Sequence, residues 1–304
     1  MARKRFVSIG ECMIEMSGGE DRQYRLGYAG DTLNTAWYMR ALLGEDWDVD
    51  YFTALGADRY SADIRAFLED HNIGTRFIGT VEGRRPGLYL IHQEEGDRHF
   101  TYWRDTSAAK LLAEDREALA AALDGADIVY FSGITMAILH PRARGRLMGA
   151  IVTARDKGAR VVFDPNVRPA LWSSQRVMGA VLTAAATISD VIMPTHTDEA
   201  PIFGDKSAEE TAERYLELGV EEVVVKDGAK PAFIATRSER VEVAPKPDAK
   251  VVDATGAGDS FNGAYLSARA AGAGLGQAAE AAHRVAGIVI GERGALVDPA
   301  LLRD

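Results

Sequence analysis

Apolar positions along this chain follow two rhythms. Short apolar or alternating runs mark strands at 5–9, 13–16, 49–55, 128–131, 160–163, 191–193 and 222–225, with two shorter ones at 232–235 and 241–243. Between most of them apolar residues recur every three or four positions, the period of a helix with one buried face. Leu33, Ala36, Trp37 and Leu43 form one such stripe, with Asp31 a candidate N-cap and Gly44 the expected stop signal. Ile64, Phe67, Leu68 and His71 form another, and further helices are expected over 114–123, 141–157, 175–186, 208–218 and 276–290.

Two stretches break this alternation. Residues 76–80, 87–93 and 98–104 read as extended segments with no helix between them, and 94–97 as a hairpin connection. Residues 17–28 are polar, with Gly18 and Gly19 marking a loop. In 98–104 a period of two puts Phe100, Tyr102 and Arg104 on one face and Thr101 and Trp103 on the other. The expected fold class is therefore α/β. A mainly parallel central sheet is flanked by helices, with a small β-sheet lid drawn from about 12–30 and 75–105 in one domain spanning 1–304. Parallel sheets take ligands beyond the carboxyl ends of their strands, so 164–168, 226–228 and 256–259 are expected to line one crevice.

Composition narrows the function. Apolar residues make up 47% and charged ones 26%, as in an ordinary globular protein. No apolar run reaches membrane-spanning length, and the one after the basic start is too short for a signal peptide, so a cytoplasmic location is the default expectation. Cys12 is the only cysteine, which excludes an intrachain disulfide and a cysteine metal cluster. The six histidines show no metal-ligand spacing. A formal net charge of -10 argues against nucleic acid as a partner. It also means that an anionic ligand needs local cations and N–H donors to reverse the field.

The chemistry concentrates in 253–263, Asp-Ala-Thr-Gly-Ala-Gly-Asp-Ser-Phe-Asn-Gly. Small residues here lead into a helix, whose first N–H groups lack partners and suit an anion. Gly256, Ala257 and Gly258 let a phosphate approach that backbone, and Asp259 stands where it can take a proton from an attacking hydroxyl. On these residues alone, a glycine-rich turn with a dipole-complementing aspartate is an equal reading. There is no Walker A sequence, no protein-kinase His-Arg-Asp set and no dinucleotide glycine fingerprint.

The stretch 253–261 resembles the C-terminal signature of ribokinase-like (PfkB-type) carbohydrate kinases, and Ala-Gly-Asp-Thr-Leu-Asn-Thr-Ala at 29–36 resembles their N-terminal signature. Stretches at 10–15, 86–89, 101–104, 132–134 and 164–172 resemble the branch of that family acting on 2-keto-3-deoxygluconate. The resemblance covers essentially the whole chain. It implies ATP-dependent phosphorylation of that sugar acid at its 6-hydroxyl, with ATP and Mg2+ as cofactors. It makes Asp259 the base and the amides of Gly256, Ala257 and Gly258 the anion hole. It puts Gly30, Asp31, Asn34, Tyr89, Tyr102, Arg104 and Arg168 against the sugar, and Lys226 and Gly228 in a loop at the nucleotide.

A substrate carboxylate calls for guanidinium partners, which fits Arg104 and Arg168. Read from the strand alone, Arg104 is a solvated strand-end charge and the tyrosines are lid core; the resemblance turns both toward the substrate. The family's Asn-x-x-Glu element departs here to Pro-Thr-His-Thr-Asp-Glu at 194–199. Either Asp198 or Glu199 then supplies a carboxylate to magnesium through water. The open edges of the lid suggest a homodimer or higher even oligomer, as in many relatives. Competing expectations are a fructokinase or related sugar-acid kinase, and a non-catalytic sugar- or nucleotide-binding regulator.

Overall fold

The computed structural model describes residues 3–18, 23–94, 97–246 and 250–302. The chain begins with β1 (Lys4–Ile9), β2 (Met13–Gly18), β3 (Tyr24–Ala29), α1 (Asp31–Leu42), β4 (Trp47–Phe52) and β5 (Ala54–Leu55). α2 (Arg59–Asp70), β6 (Gly79–Thr80), β7 (Leu88–Glu94) and β8 (Asp97–Trp103) follow. Helices and strands then alternate through α3 (Arg116–Leu123), β9 (Ile128–Ser132), α4 (Gly133–Ile138), α5 (Pro141–Asp156), β10 (Arg160–Asp164), α6 (Gln175–Thr187) and β11 (Val191–Ile192). Last come α7 (His196–Phe203), α8 (Ala208–Glu217), β12 (Glu222–Val225), β13 (Ala232–Thr236), β14 (Arg240–Val243), α9 (Ala257–Ala270) and α10 (Leu275–Val289).

The central sheet runs β14-β13-β12-β11-β10-β9-β1-β4. From β12 to β4 every pairing is parallel, and β13 and β14 close one edge in antiparallel fashion. Strand alternation splits the core in two. Val7, Ile9, Val129, Phe131, Val161 and Phe163 face one side, under Leu119, Leu147, Ile151 and Leu182 of α3, α5 and α6. Phe6, Ile128, Tyr130 and Val162 face the other, under α1, α9 and α10. Each fully buried large side chain of this kind stabilises the fold by about 1.5–3 kcal/mol.

The small sheet is β3-β2-β7-β8. Its outer pairs are antiparallel, while β2 and β7 run parallel. Three expectations need correction. The polar stretch at 17–28 is not all loop, because 24–29 pairs with β2 as a full strand. Residues 76–80 do not join the small sheet; only Gly79 and Thr80 pair, and they do so with β5. Asp31 is the first residue of α1, not its cap, and Gly30 holds the cap position in extended backbone at φ 170. Residues 95 and 96 of the expected hairpin turn lie outside the described residues. No helix among the described residues is long and apolar enough to cross a membrane.

Helix starts fall into two groups. The chain caps α2 with Asp58, α3 with Asp115, α4 with Ser132, α6 with Ser174 and α8 with Ser207, each side chain accepting from a first-turn N–H. α1, α7, α9 and α10 begin with no side-chain cap, and of these α1 and α9 start at Gly30 and Gly256, which line the crevice, so their first-turn donors are open to another acceptor there. α1 and α9 pack closely because residue 263 is glycine. A Cβ there would stand 2.6 Å from Tyr38 Cβ and 3.0 Å from the Thr35 carbonyl. Their uncapped starts thereby meet at one end of the crevice above the strands.

Candidate active site

The crevice has a volume of about 980 Å³ and lies beyond the carboxyl ends of the parallel strands. Its floor is the start of α9. Gly256 is left-handed at φ 77, and a Cβ there would meet the Ala295 carbonyl at 2.7 Å, so only glycine fits without strain. Asp253 fixes the turn by accepting from the Thr255 N–H at 2.8 Å and the Gly294 N–H at 2.7 Å. Asp259 is the third residue of the helix. Asn34 of α1 donates its amide to Asp259 Oδ2 at 2.8 Å, and Asn34 Oδ1 accepts from the Gly30 N–H at 3.3 Å. Withdrawal from water, then the charges of Asp31 and Asp164, push the Asp259 carboxyl up to about 7. The Asn34 hydrogen bond and the nearby Lys226 ammonium act against that rise. A carboxylate poised near neutrality suits a general base.

The side walls come from two loops. Asp164, at the end of β10, accepts from the Asn166 N–H at 2.9 Å. Asn166 takes positive φ, 33°, a region asparagine tolerates. Its side-chain amide donates to Asp31 Oδ2 at 2.9 Å. Burial raises the Asp31 carboxyl above the ordinary carboxylate range. Lys226, just after β12, turns its ammonium inward to Asp164 and Asn262.

The roof is the small sheet. Tyr89 and Tyr102 are cross-strand partners with ring centroids 5.7 Å apart, and the Arg104 guanidinium lies 5.8 Å from the Tyr102 ring centre. Tyr89 donates its hydroxyl to Glu15. Arg104 is ion-paired with Glu11, whose side chain is buried. Arg168 is different: it is half-exposed, donates to the Val167 carbonyl at 2.7 Å and faces Asp198 at 3.7 Å. Burial raises the Asp198 carboxyl, and Arg168 partly offsets that shift.

Gly30, Asp31, Asn34, Tyr89, Tyr102, Arg104, Arg168, Lys226, Gly256, Ala257, Gly258 and Asp259 all line this crevice. Gly228 does not; it takes positive φ in the turn after β12. The two candidate metal carboxylates separate. Asp198 lines the crevice, whereas Glu199 turns into the interior, where it accepts from Arg214 at 2.8 Å and Tyr215 at 2.9 Å. Sequence reading missed Glu11, Glu15 and Asn262 as partners of site residues. A buried acid is legible only once its arginine or tyrosine is known to fold over it. A larger cleft, about 1110 Å³, opens near the starts of β1 and β4, where acidic and basic side chains alternate without a base beside a helix start.

The model of the pfkB family carbohydrate kinases matches residues 3–300. The 2-dehydro-3-deoxygluconokinase of Dickeya dadantii is 37% identical, covering 98% of this chain and 98% of its own. A fructokinase from Xylella fastidiosa with bound ATP has a TM-score of 0.85 at 21% identity, over 96% of this chain and 94% of its own. The 2-dehydro-3-deoxygluconokinase of Thermotoga maritima has a TM-score of 0.81 at 22% identity, over 97% and 95%. At those structural identities the likeness concerns the ribokinase-like fold alone. The family match over nearly the whole chain meets a crevice that joins a poised carboxylate to an uncapped helix start, and on both grounds this chain belongs to the pfkB family of carbohydrate kinases.

Proposed function

We propose that this sugar kinase phosphorylates 2-keto-3-deoxygluconate at its 6-hydroxyl, giving 2-keto-3-deoxy-6-phosphogluconate and ADP. The observation that carries this reading is one crevice lined both by Asp259 with the α9 start and by Arg104 and Arg168. Asp259 takes the hydroxyl proton, and the amides of Gly256, Ala257 and Gly258 receive the charge on the transferring phosphoryl. Gly30, Asp31 and Asn34 hold the sugar chain, while Tyr89, Tyr102, Arg104 and Arg168 enclose the keto acid end. The Gly228 turn borders the nucleotide.

Mg2+ fits this site in one way. No cluster of three or more His, Cys, Asp or Glu suited to a metal occurs among the described residues, so Asp198 would hold the ion through water while the nucleotide supplies phosphate oxygens. When bound, Mg2+ neutralises charge on those oxygens. The chain works as one catalytic unit in the cytoplasm, with the small sheet closing over the substrate to exclude water. Its outer face exposes Tyr24 (40%), Leu26 (43%) and Trp103 (58%), an apolar surface suited to pairing with a second copy.

The test is a phosphorylation assay over keto-deoxy acids, aldonic acids and neutral ketoses. Turnover confined to keto-deoxy acids supports the reading, and preference for a neutral ketose overturns it. The two arginines are not equivalent: the Arg104 guanidinium is already ion-paired with Glu11, so Arg168 carries the larger share of carboxylate recognition.

A further inference from the structure

An ammonium group has three N–H donors. Lys226 directs one to Asp164 Oδ2 at 2.9 Å and one to Asn262 Oδ1 at 3.0 Å. Asn262 closes the ring by donating to the same Asp164 oxygen at 2.6 Å, and it also donates to the Tyr130 hydroxyl at 3.1 Å. All three residues are buried, Asn262 completely. A loop lysine serving a mobile nucleotide has no need of such a cradle. Its place is also specific: a Cβ on Gly258 would lie 3.7 Å from the Lys226 nitrogen, and both residues line the crevice with Asp259.

We propose that Lys226 is a fixed cation of the phosphoryl site, its third N–H reaching the transferring γ-phosphoryl beside the 256–258 amides, and that Asp164 and Asn262 are the positioning residues that hold it. This rests on the kinase reading and on Asp259 as base. The sugar oxygen forms a bond to the γ-phosphorus as the bond to the β,γ-bridging oxygen breaks. The bond's electron pair leaves with ADP, and the hydroxyl proton passes to Asp259. The Lys226 ammonium takes no part in the proton transfer and opposes the charge on the phosphoryl oxygens. A buried cation held in place by Asp164 and Asn262 needs no reorganisation during the step, which is the condition for effective charge stabilisation.

The same ammonium acts on the base. The groups facing Asp259 are Asp31 and Asn34 from α1, Asp164 from the end of β10, Lys226 from the end of β12, and the hydroxyls of Tyr38 and Tyr130. Among the charged ones, Lys226 favours the carboxylate and the two aspartates oppose it.

The experiment compares Lys226→Met with the double variant Asp164→Asn/Lys226→Met, measuring kcat, KM for ATP and the pH profile of kcat/KM. Lys226→Met is expected to lose about 10²–10³ in kcat with little change in KM for ATP. Its acid limb moves up by about one pH unit as the cation beside Asp259 is lost. The single variant leaves Asp164 uncompensated, so folding is checked by circular dichroism, and the double variant removes both charges. Its acid limb returns toward that of the parent while kcat stays low. The proposal is overturned if either variant keeps the parent kcat, if the loss lies wholly in KM for ATP, or if the acid limb is the same in all three proteins. Absence of phosphotransfer by the parent protein across the sugar panel is a different failure; it removes the kinase reading and this one with it.

Discussion

Replacing Asp259 with asparagine separates catalysis from stability in a way the geometry makes quantitative. The amide keeps an oxygen for the Asn34 donor, now at 2.8 Å from Oδ2, so the local packing survives. Turnover falls by about 10²–10⁴, the usual loss for an aligned base. Stability moves the other way, and only at high pH. The folded protein holds the Asp259 proton up to about pH 7, against an ordinary value of 3.8. Below the unfolded value both states are protonated and the stability associated with that proton is fully present. It is lost as pH rises through the folded value, because the unfolded chain ionises freely while the folded one ionises withdrawn from water and against Asp31 and Asp164. Full conversion of the shift gives about 4 kcal/mol, an upper bound. Discounting for the partial exposure of Asp259 leaves about 1–2 kcal/mol. Asp259→Asn should therefore raise Tm by roughly 1.5–3 °C at pH 8. At pH 4–5 it should change Tm little. Urea midpoints at both pH values check the result. A loss of stability at pH 8, or the same gain at both, would refute the account of why this carboxyl is raised.

Further outcomes follow from single side chains. Arg168→Ala should raise KM for a keto-deoxy acid roughly tenfold or more, the value of a charge-assisted hydrogen bond, while leaving KM for neutral ketoses unchanged; equal losses in steady-state assays would contradict carboxylate recognition. Gly256→Ala forces a side chain into left-handed backbone against Ala295 and should cost about 1–3 kcal/mol in urea unfolding, together with turnover. Asp substitutions at Leu26 and Trp103 together should shift light scattering from dimer to monomer with circular dichroism unchanged, and a parent protein that is already monomeric would remove the lid interface. The acid limb of kcat/KM should fall near pH 7, where Asp259 takes up its proton.

How much of this was legible beforehand depended on the range of the interaction. Strands at 128–131 and 160–163 declare themselves because a parallel strand covered on both faces must be apolar throughout. The α9 start was visible as a family signature at 253–261, whereas Gly256, Gly258 and Asp259 on their own read equally well as a glycine-rich turn. The strand at 24–29 was hidden by its partial exposure: three of its six residues are exposed and two half-buried, so burial leaves no alternating trace. Glu11 and Arg104 lie 93 positions apart. Neither residue's own surroundings predict the pairing, since a buried carboxylate is tolerable only with a partner that folding alone supplies. The choice between Asp198 and Glu199 was likewise beyond local reading. One helical step separates facing the crevice from facing Arg214 and Tyr215, and the direction is set by α8.

The bare starts of α1 and α9 have a consequence for how this protein can change over time. At Gly256 the Ala295 backbone bars any side chain, and at Gly30 a Cβ would collide with the Glu11 carbonyl. The chain cannot acquire a serine or aspartate at either position without dismantling the turn around it. Substitutions that capped these helices would be the easiest route to a sturdier protein, and here the packing forbids them. The fold thus resists drift toward stability at the very donors a ligand must find open, and whatever binds there finishes two helices that the polypeptide leaves incomplete.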